Sequence, residues 1–291
     1  MLRPISRAIK GVGTWYVGLY KGRPWWMKTL ATVGTLIVTF FLYLGAVDNN
    51  VLWLFGKSPS MHTIKNKRPA QASEIYSADG HQIGKFFSEN RTPVDYEEVN
   101  PAFWQALIDT EDERFYSHHG IDFQAFAAAL KDYVLHHDAR GASTITQQLA
   151  KNLFRVRTEY STGLLGNIPG LKMLIMKSKE WITAYKLEYF FSKEEILTQY
   201  ANTVDFGSNA FGIKTAAKTY FGKKPNELKI EEAAILVGML KATTFYNPRI
   251  HPDNALKRRN TVLENMRQHG HLTERACDSL KAIDIDLDFS V

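Results

Sequence analysis

Three features of the sequence predict a mainly α fold with a small β-hairpin region, preceded by one transmembrane helix. Apolar residues recur at helical spacing throughout the chain after residue 100. A single hairpin signal lies before that point, and one long uncharged apolar run lies near the N-terminus. With 291 residues and 45% hydrophobic content, the chain can bury a full core. The one cysteine, Cys277, excludes an intramolecular disulfide, so packing alone must hold the fold.

The net charge of +6 resides at the N-terminus. Arg3, Arg7, Lys10, Lys21, Arg23 and Lys28 face no acidic residue within 1–28, leaving 30 basic and 30 acidic groups beyond it. A nucleic-acid partner is therefore not expected, because such a binder carries its excess charge on the folded domain. Residues 29–47 contain no charge and can span a bilayer core of about 30 Å. No small-residue cleavage pattern follows, so a retained anchor is expected rather than a cleaved signal peptide. The basic lead-in and Asp48 place the N-terminus in the cytoplasm and the bulk of the chain outside. Trp25, Trp26 and Trp53 stand where interfacial aromatics anchor a span. The boundaries read as a basic segment at 1–28, the span at 29–47 and a juxtamembrane linker at 48–72. A folded domain at 73–270 and a C-terminal helix and tail at 271–291 complete the chain.

Residues 73–87 alternate around Asp79-Gly80, a two-residue hairpin turn. Helices are predicted near 101–111, 122–137, 143–155, 171–190, 193–203, 211–220, 230–242, 252–268 and 273–282. Asn100 with Pro101 opens the first, Asp122 caps the second and Ser143 the third. Ser192 with Glu195 forms a capping box, and Pro252 precedes Asp253. The middle of 153–176 breaks helix and exposes an apolar set, Leu164, Leu165, Ile168, Leu171, Met173, Leu174, Ile175 and Met176. It suits either a core helix with its loop or a flap resting in the membrane face.

Three polar islands carry the chemistry. Residues 111–120, Glu-Asp-Glu-Arg-Phe-Tyr-Ser-His-His-Gly, set ionisable groups between two apolar runs, where a general acid or base belongs. On residue types alone Glu111, Asp112 and Glu113 are equally eligible. In 141–152, Thr144, Gln147, Gln148 and Lys151 recur at three- and four-residue steps and define one helix face suited to a sugar ring and a phosphate. In 177–188, Glu180 continues an apolar stripe and reads as an inward-facing carboxylate. Adjacent His118 and His119 lack the i, i+4 spacing of a helical metal pair, so no metal ligand is assigned.

These islands resemble the signatures of the peptidoglycan glycosyltransferases, the lysozyme-like transglycosylases of class A penicillin-binding proteins and their monofunctional relatives. Glu-Asp-x-x-Phe-x-x-His-x-Gly at 111–120 is similar to the first signature, and Gly-x-Ser-Thr-x-Thr-Gln-Gln-Leu-x-Lys-Asn at 141–152 to the second. Lys177 with Glu180 is similar to the third. Residues 196–213 and 232–248 resemble the fourth and fifth. The resemblance implies a lysozyme-like glycosyltransferase domain that polymerises lipid II into β-1,4-linked glycan strands, with inversion and release of polyprenyl diphosphate. It makes Glu111 the general base and Glu180 the second essential carboxylate. Ser143, Thr144, Gln147, Gln148, Lys151, Asn152 and Lys177 become the substrate and diphosphate contacts. Asp112, Phe115, His118 and Gly120 become structural supports.

It also implies lipid II, a growing glycan strand and the membrane as partners, with a transpeptidase or other cell-wall synthesis protein nearby. A divalent cation, Mg2+ or Mn2+, is allowed between Glu180 and the diphosphate. One departure stands out: Met176 occupies the place of the arginine expected before Lys177, leaving Arg155, Arg157, Lys172 and Lys179 as substitutes. No serine is followed three residues later by lysine, so cross-linking activity is not predicted, while the tail resembles the passage into a second domain of bifunctional members. Two rival classes are weaker. A glycan hydrolase does not explain Lys151 and Lys177, and an inactive scaffold predicts loss of Glu111 or Glu180, both of which are present.

Overall fold

The computed structural model describes residue 11 and residues 13–67, 73–79, 82–86, 92–136 and 141–290. Two compact units emerge, Met1–Lys57 with Thr162–Ser178, and Ser58–Ser161 with Lys179–Val291.

The first unit is built on α1 (Trp25–Asp48), the one helix among the described residues long and apolar enough to cross a membrane. Its threonines do not spoil it. Thr29, Thr32 and Thr35 each turn the hydroxyl back to the carbonyl four residues earlier, at 3.1, 2.9 and 2.8 Å, which satisfies the polar group inside the helix. Beyond the helix, Leu165 N–H donates to the Leu54 carbonyl at 3.0 Å. Gly163 approaches the same strand of backbone so closely that a Cβ would lie 2.5 Å from Leu54 and Gly56, and its φ of +63° also demands glycine. Ser178 reaches the Tyr43 hydroxyl at 3.1 Å. Of the predicted apolar set, Ile175 is buried whereas Leu164, Ile168, Met173 and Leu174 are exposed, so the segment is not an ordinary core helix.

The second unit begins with α2 (Met61–Asn66), a short helix capped by Ser60 inside the stretch read as linker, with Ile64 fully buried. Strands β1 (Ser73–Tyr76) and β2 (Gln82–Phe86) pair antiparallel, from Ser73 opposite Phe86 to Tyr76 opposite Gln82. The hairpin is present. Gly80 of its predicted turn lies outside the described residues.

Among the described residues, nine further helices match the nine predicted: α3 (Pro101–Glu111), α4 (Phe123–His136), α5 (Ile145–Leu153), α6 (Leu171–Phe190), α7 (Lys193–Thr203), α8 (Ile213–Phe221), α9 (Ile230–Met239), α10 (Pro252–Gln268) and α11 (Glu274–Lys281). Only 179–190 of α6 belongs to this unit. Asn100 accepts from Ala102 N–H at 2.9 Å, and Asp122 from Ala125 N–H at 2.8 Å, as capping requires. Ser192 and Glu195 form the reciprocal box, at 3.2 and 2.7 Å. At α5 the cap is Thr144, which accepts from Gln147 N–H at 3.1 Å, rather than the predicted Ser143.

Helix α9 is buried along its whole length and packs on α3, α10 and α11. Its Ala233, Ala234 and Gly238 allow close approach. A Cβ at Gly238 would sit 3.0 Å from the Arg258 side chain on α10. Phe103, Ala106 and Leu107 of α3, Leu149 and Ala150 of α5 and Tyr200 and Ala201 of α7 share the core with α9. This packing fixes the C-terminal end of α3 and the N-terminal end of α5 beside each other, with α7 and α10 alongside.

Candidate active site

Helix α3 ends at Glu111 because Asp112 leaves helical geometry, at φ −162° and ψ 69°. The Glu111 side chain is 15% exposed. Three elements converge on it. Gln148 on α5 donates its amide to Glu111 Oε2 at 2.9 Å, and Arg258 on α10 brings Nη2 to 3.8 Å from Oε1. Tyr200 on α7 donates its hydroxyl to Gln148 Oε1 at 2.9 Å. That bond decides the amide's orientation: with its oxygen occupied by Tyr200, Gln148 must present N–H to the carboxylate. Tyr200 is fully buried, and burial, followed by the nearby Glu111 charge, pushes its pKa well above the usual phenol value. It stays a donor at any working pH. Arg258 packs 5.9 Å from the Tyr246 ring, and its buried Nε has no hydrogen-bond partner among the described residues.

Asp112 and His118, expected as supports, lie against each other beside Glu111. Both are buried, His118 Nε2 lies 2.9 and 3.0 Å from the two Asp112 oxygens, and Gly120 N–H donates to His118 Nδ1 at 3.2 Å. An accepting Nδ1 places the ring proton on Nε2, directed at Asp112. Asp112 also receives Ile145 N–H at 2.9 Å, so its charge faces the N-terminal end of α5. Gly120 has φ +81°, and a Cβ there would lie 2.8 Å from the Ala184 backbone. Phe115 is fully buried beneath the Lys193 ammonium, 4.4 Å from the ring centroid. Lys193 in turn donates to the His118 carbonyl at 2.7 Å and to Glu188 at 2.9 Å.

The predicted polar face of α5 divides. Thr144 and Gln147, assigned to substrate, are buried, and both donate to the Gly120 carbonyl, at 2.8 and 3.0 Å. They are joints between the first two islands, because an i, i+3 pair near a helix start lies against whatever packs there. Gln148 serves Glu111. Lys151 is exposed, Ser143 and Asn152 half-buried.

Glu180 is 2% exposed, as its apolar stripe indicates, and Arg157 Nε meets its Oε1 at 2.5 Å. Of the four substitutes for the missing arginine, Arg157 is therefore the one on this carboxylate. Lys179 is fully buried and donates to the Ser161 carbonyl at 2.7 Å, and burial pulls its pKa down to about 8. Arg155 is exposed and pairs with Glu159 at 3.5 Å. Lys172 and Lys177 belong to the first unit. Glu180, the carboxylate at which a cation bridging to the diphosphate is expected, is matched by the Arg157 guanidinium.

Sequence reasoning missed Arg258 and Lys193. Arg258 sits in a charged run on α10 that reads as a solvated face, and Lys193 follows a cap, so neither carries a local signal.

Residues 79–267 match the transglycosylase family. Penicillin-binding protein 1A of Escherichia coli (strain K12) is 36% identical over 254 residues, covering 87% of this chain and 28% of that protein. Penicillin-binding protein 1A of Aquifex aeolicus (strain VF5) is 37% identical over 248 residues, 85% of this chain and 32% of the relative. Penicillin-binding protein 1F of Bacillus subtilis (strain 168) is 36% identical over 205 residues, 70% and 27%. The chain thus spans about a third or less of the length of these relatives.

Proposed function

The chain belongs to the transglycosylase family, and we propose that it is a membrane-anchored peptidoglycan glycosyltransferase that polymerises lipid II into β-1,4-linked glycan. The observation that carries this reading is the environment of Glu111, a largely buried carboxylate at a helix end with the Gln148 amide on one oxygen and Arg258 near the other. Glu111 takes the proton from the 4-hydroxyl of the acceptor sugar. The freed oxygen attacks the anomeric carbon of the growing chain from the face opposite the diphosphate, the bond to the diphosphate breaks, and the configuration inverts. Tyr200 and Gln148 hold the base in place without competing for its proton.

The departing diphosphate gains negative charge as its bond breaks, and cations set near it lower the barrier. Lys151, exposed at the end of α5, and Lys177 are assigned that role, with Ser143 and Asn152 as hydrogen-bonding neighbours. Arg157 is the guanidinium in place of the residue replaced by Met176, held at its post by Glu180. We place the N-terminus in the cytoplasm and the second unit outside, on the basis of the basic segment at 1–28.

Detergent-solubilised protein incubated with labelled lipid II tests the reading. Polymer is expected from the wild type, with Glu111→Gln reducing the rate by roughly 10²–10⁴. Polymer formed by Glu111→Gln at the wild-type rate would remove Glu111 from the role of base, and hydrolysed disaccharide in place of polymer would point to the hydrolase.

A further inference from the structure

We propose that the His269-Gly-His271 turn at the end of α10 is a clamp that positions Glu111, by gripping the residues on either side of it. The proposal rests on Glu111 being the general base. Asp109 precedes Glu111 by two residues and Glu113 follows it by two. The Asp109 carboxylate is 3% exposed, and His271 Nδ1 lies 2.6 Å from its Oδ2. His269 places Nδ1 2.8 Å from the Asn265 carbonyl and Nε2 3.4 Å from Glu113 Oε2. Both of those partners are acceptors, so a protonated His269 donates to them from both ring nitrogens. Consistent with this, its bond to the Asn265 carbonyl and the nearby Asp109 and Glu113 hold its pKa above the ordinary histidine value. Its Nδ1 also lies 3.9 Å from Asp109 Oδ1. Between the two grips, Asn265 reaches Thr110 at 3.4 Å.

The turn itself is well defined. Gly270 adopts φ +83°, and His271 N–H donates to the Met266 carbonyl at 2.9 Å. Helix α10 and the turn that follows it therefore reach residues 109, 110, 111 and 113, the third through Arg258. A base held only by its own side-chain contacts could tilt with the end of α3. Grips at positions two before and two after it prevent that motion, and a displacement of about 1 Å at such a site can cost roughly 10²-fold in rate. Asp109 and the two histidines are positioning residues, since none is assigned a contact with substrate.

The full chain in detergent, assayed for kcat and KM with labelled lipid II alongside thermal unfolding, distinguishes a clamp from a merely structural pair. In His271→Ala, the buried Asp109 loses its partner, and kcat should fall roughly tenfold with KM within about twofold. The double variant Asp109→Ala/His271→Ala removes the stranded charge, so its unfolding temperature should recover while kcat stays low. His271→Asn, whose amide N–H can stand near the position of Nδ1, should restore kcat to within about threefold of wild type. A double variant with recovered stability and wild-type kcat would overturn the clamp. Glu111→Gln in the same assay separates the two claims. If it abolishes polymerisation while the clamp variants are unchanged, only the clamp falls; if it does not, the base assignment falls and the clamp with it.

Discussion

Replacing Gln148 with glutamate tests the core of the site with a single change. The substitution keeps the size of the side chain and puts a second carboxylate where an amide now donates to Glu111 at 2.9 Å. Two unit charges at that separation repel by roughly 6 kcal/mol at an effective dielectric constant of about 20. Arg258, 3.8 Å from Glu111, offsets part of this, and side-chain relaxation offsets more. A remaining penalty of about 2–3 kcal/mol corresponds to roughly two pH units, since each unit is about 1.4 kcal/mol. The sign follows from the like charges: the pair retains a proton to higher pH, so the base is lost on the acid side and recovered as pH rises. The acid limb of kcat in Gln148→Glu should therefore move up by about two units relative to wild type. Tyr200 does not confuse the profile, because burial and Glu111 keep its hydroxyl protonated well past the usual range. Gln148→Ala is the control, expected to lower kcat without moving the limb. A Gln148→Glu profile superimposable on wild type would refute the assignment of Glu111 as base or its contact with residue 148.

Three further outcomes follow from the geometry. Gly120→Ala should destabilise the protein by about 2–4 kcal/mol in chemical denaturation, because the methyl meets the Ala184 backbone at 2.8 Å and φ is +81°; a loss below about 1 kcal/mol would contradict that packing. Lys179 has a folded pKa of about 8, below its ordinary value, so its burial penalises the folded state less as the ammonium deprotonates. Stability should rise from pH 8 towards 10 in the wild type and rise less steeply in Lys179→Met. In proteoliposomes, an environment-sensitive fluorophore on Leu164→Cys should be quenched by lipid-borne quenchers and protected from iodide, since Leu164 is 64% exposed within the unit that contains the membrane helix. The reverse quenching pattern would place that loop in water.

The sequence disclosed whatever depends on local periodicity and caps. The helices opened by Asn100, Asp122 and Ser192 were legible because each of these residues writes its start signal within three residues of the bond it makes. Glu111 and Glu180 were legible through motif spacing. The packing of Thr144 and Gln147 was not legible for a physical reason: a polar side chain near a helix start can face solvent, ligand or another buried loop, and only packing decides that both meet the Gly120 carbonyl. Arg258 and the two histidines of the α10 turn were invisible for the same reason. Their partners lie more than a hundred residues away in the chain, and a basic or polar helix end looks like surface until α10 docks on α3.

Asp112 ties together elements that the ribosome delivers at different times. Its bond to Ile145 N–H spans 33 residues, the Gln148 bond to Glu111 spans 37, and the Asp109 grip closes over 162. Contacts of that reach form only after the intervening loops have paid their closure entropy, so the site has no local nucleus. A nascent chain whose α10 has not yet emerged carries Glu111 but lacks the arginine and the turn that constrain it. A competent site should therefore arrive in a single late step, once α10 and the turn after it have emerged and docked on α3.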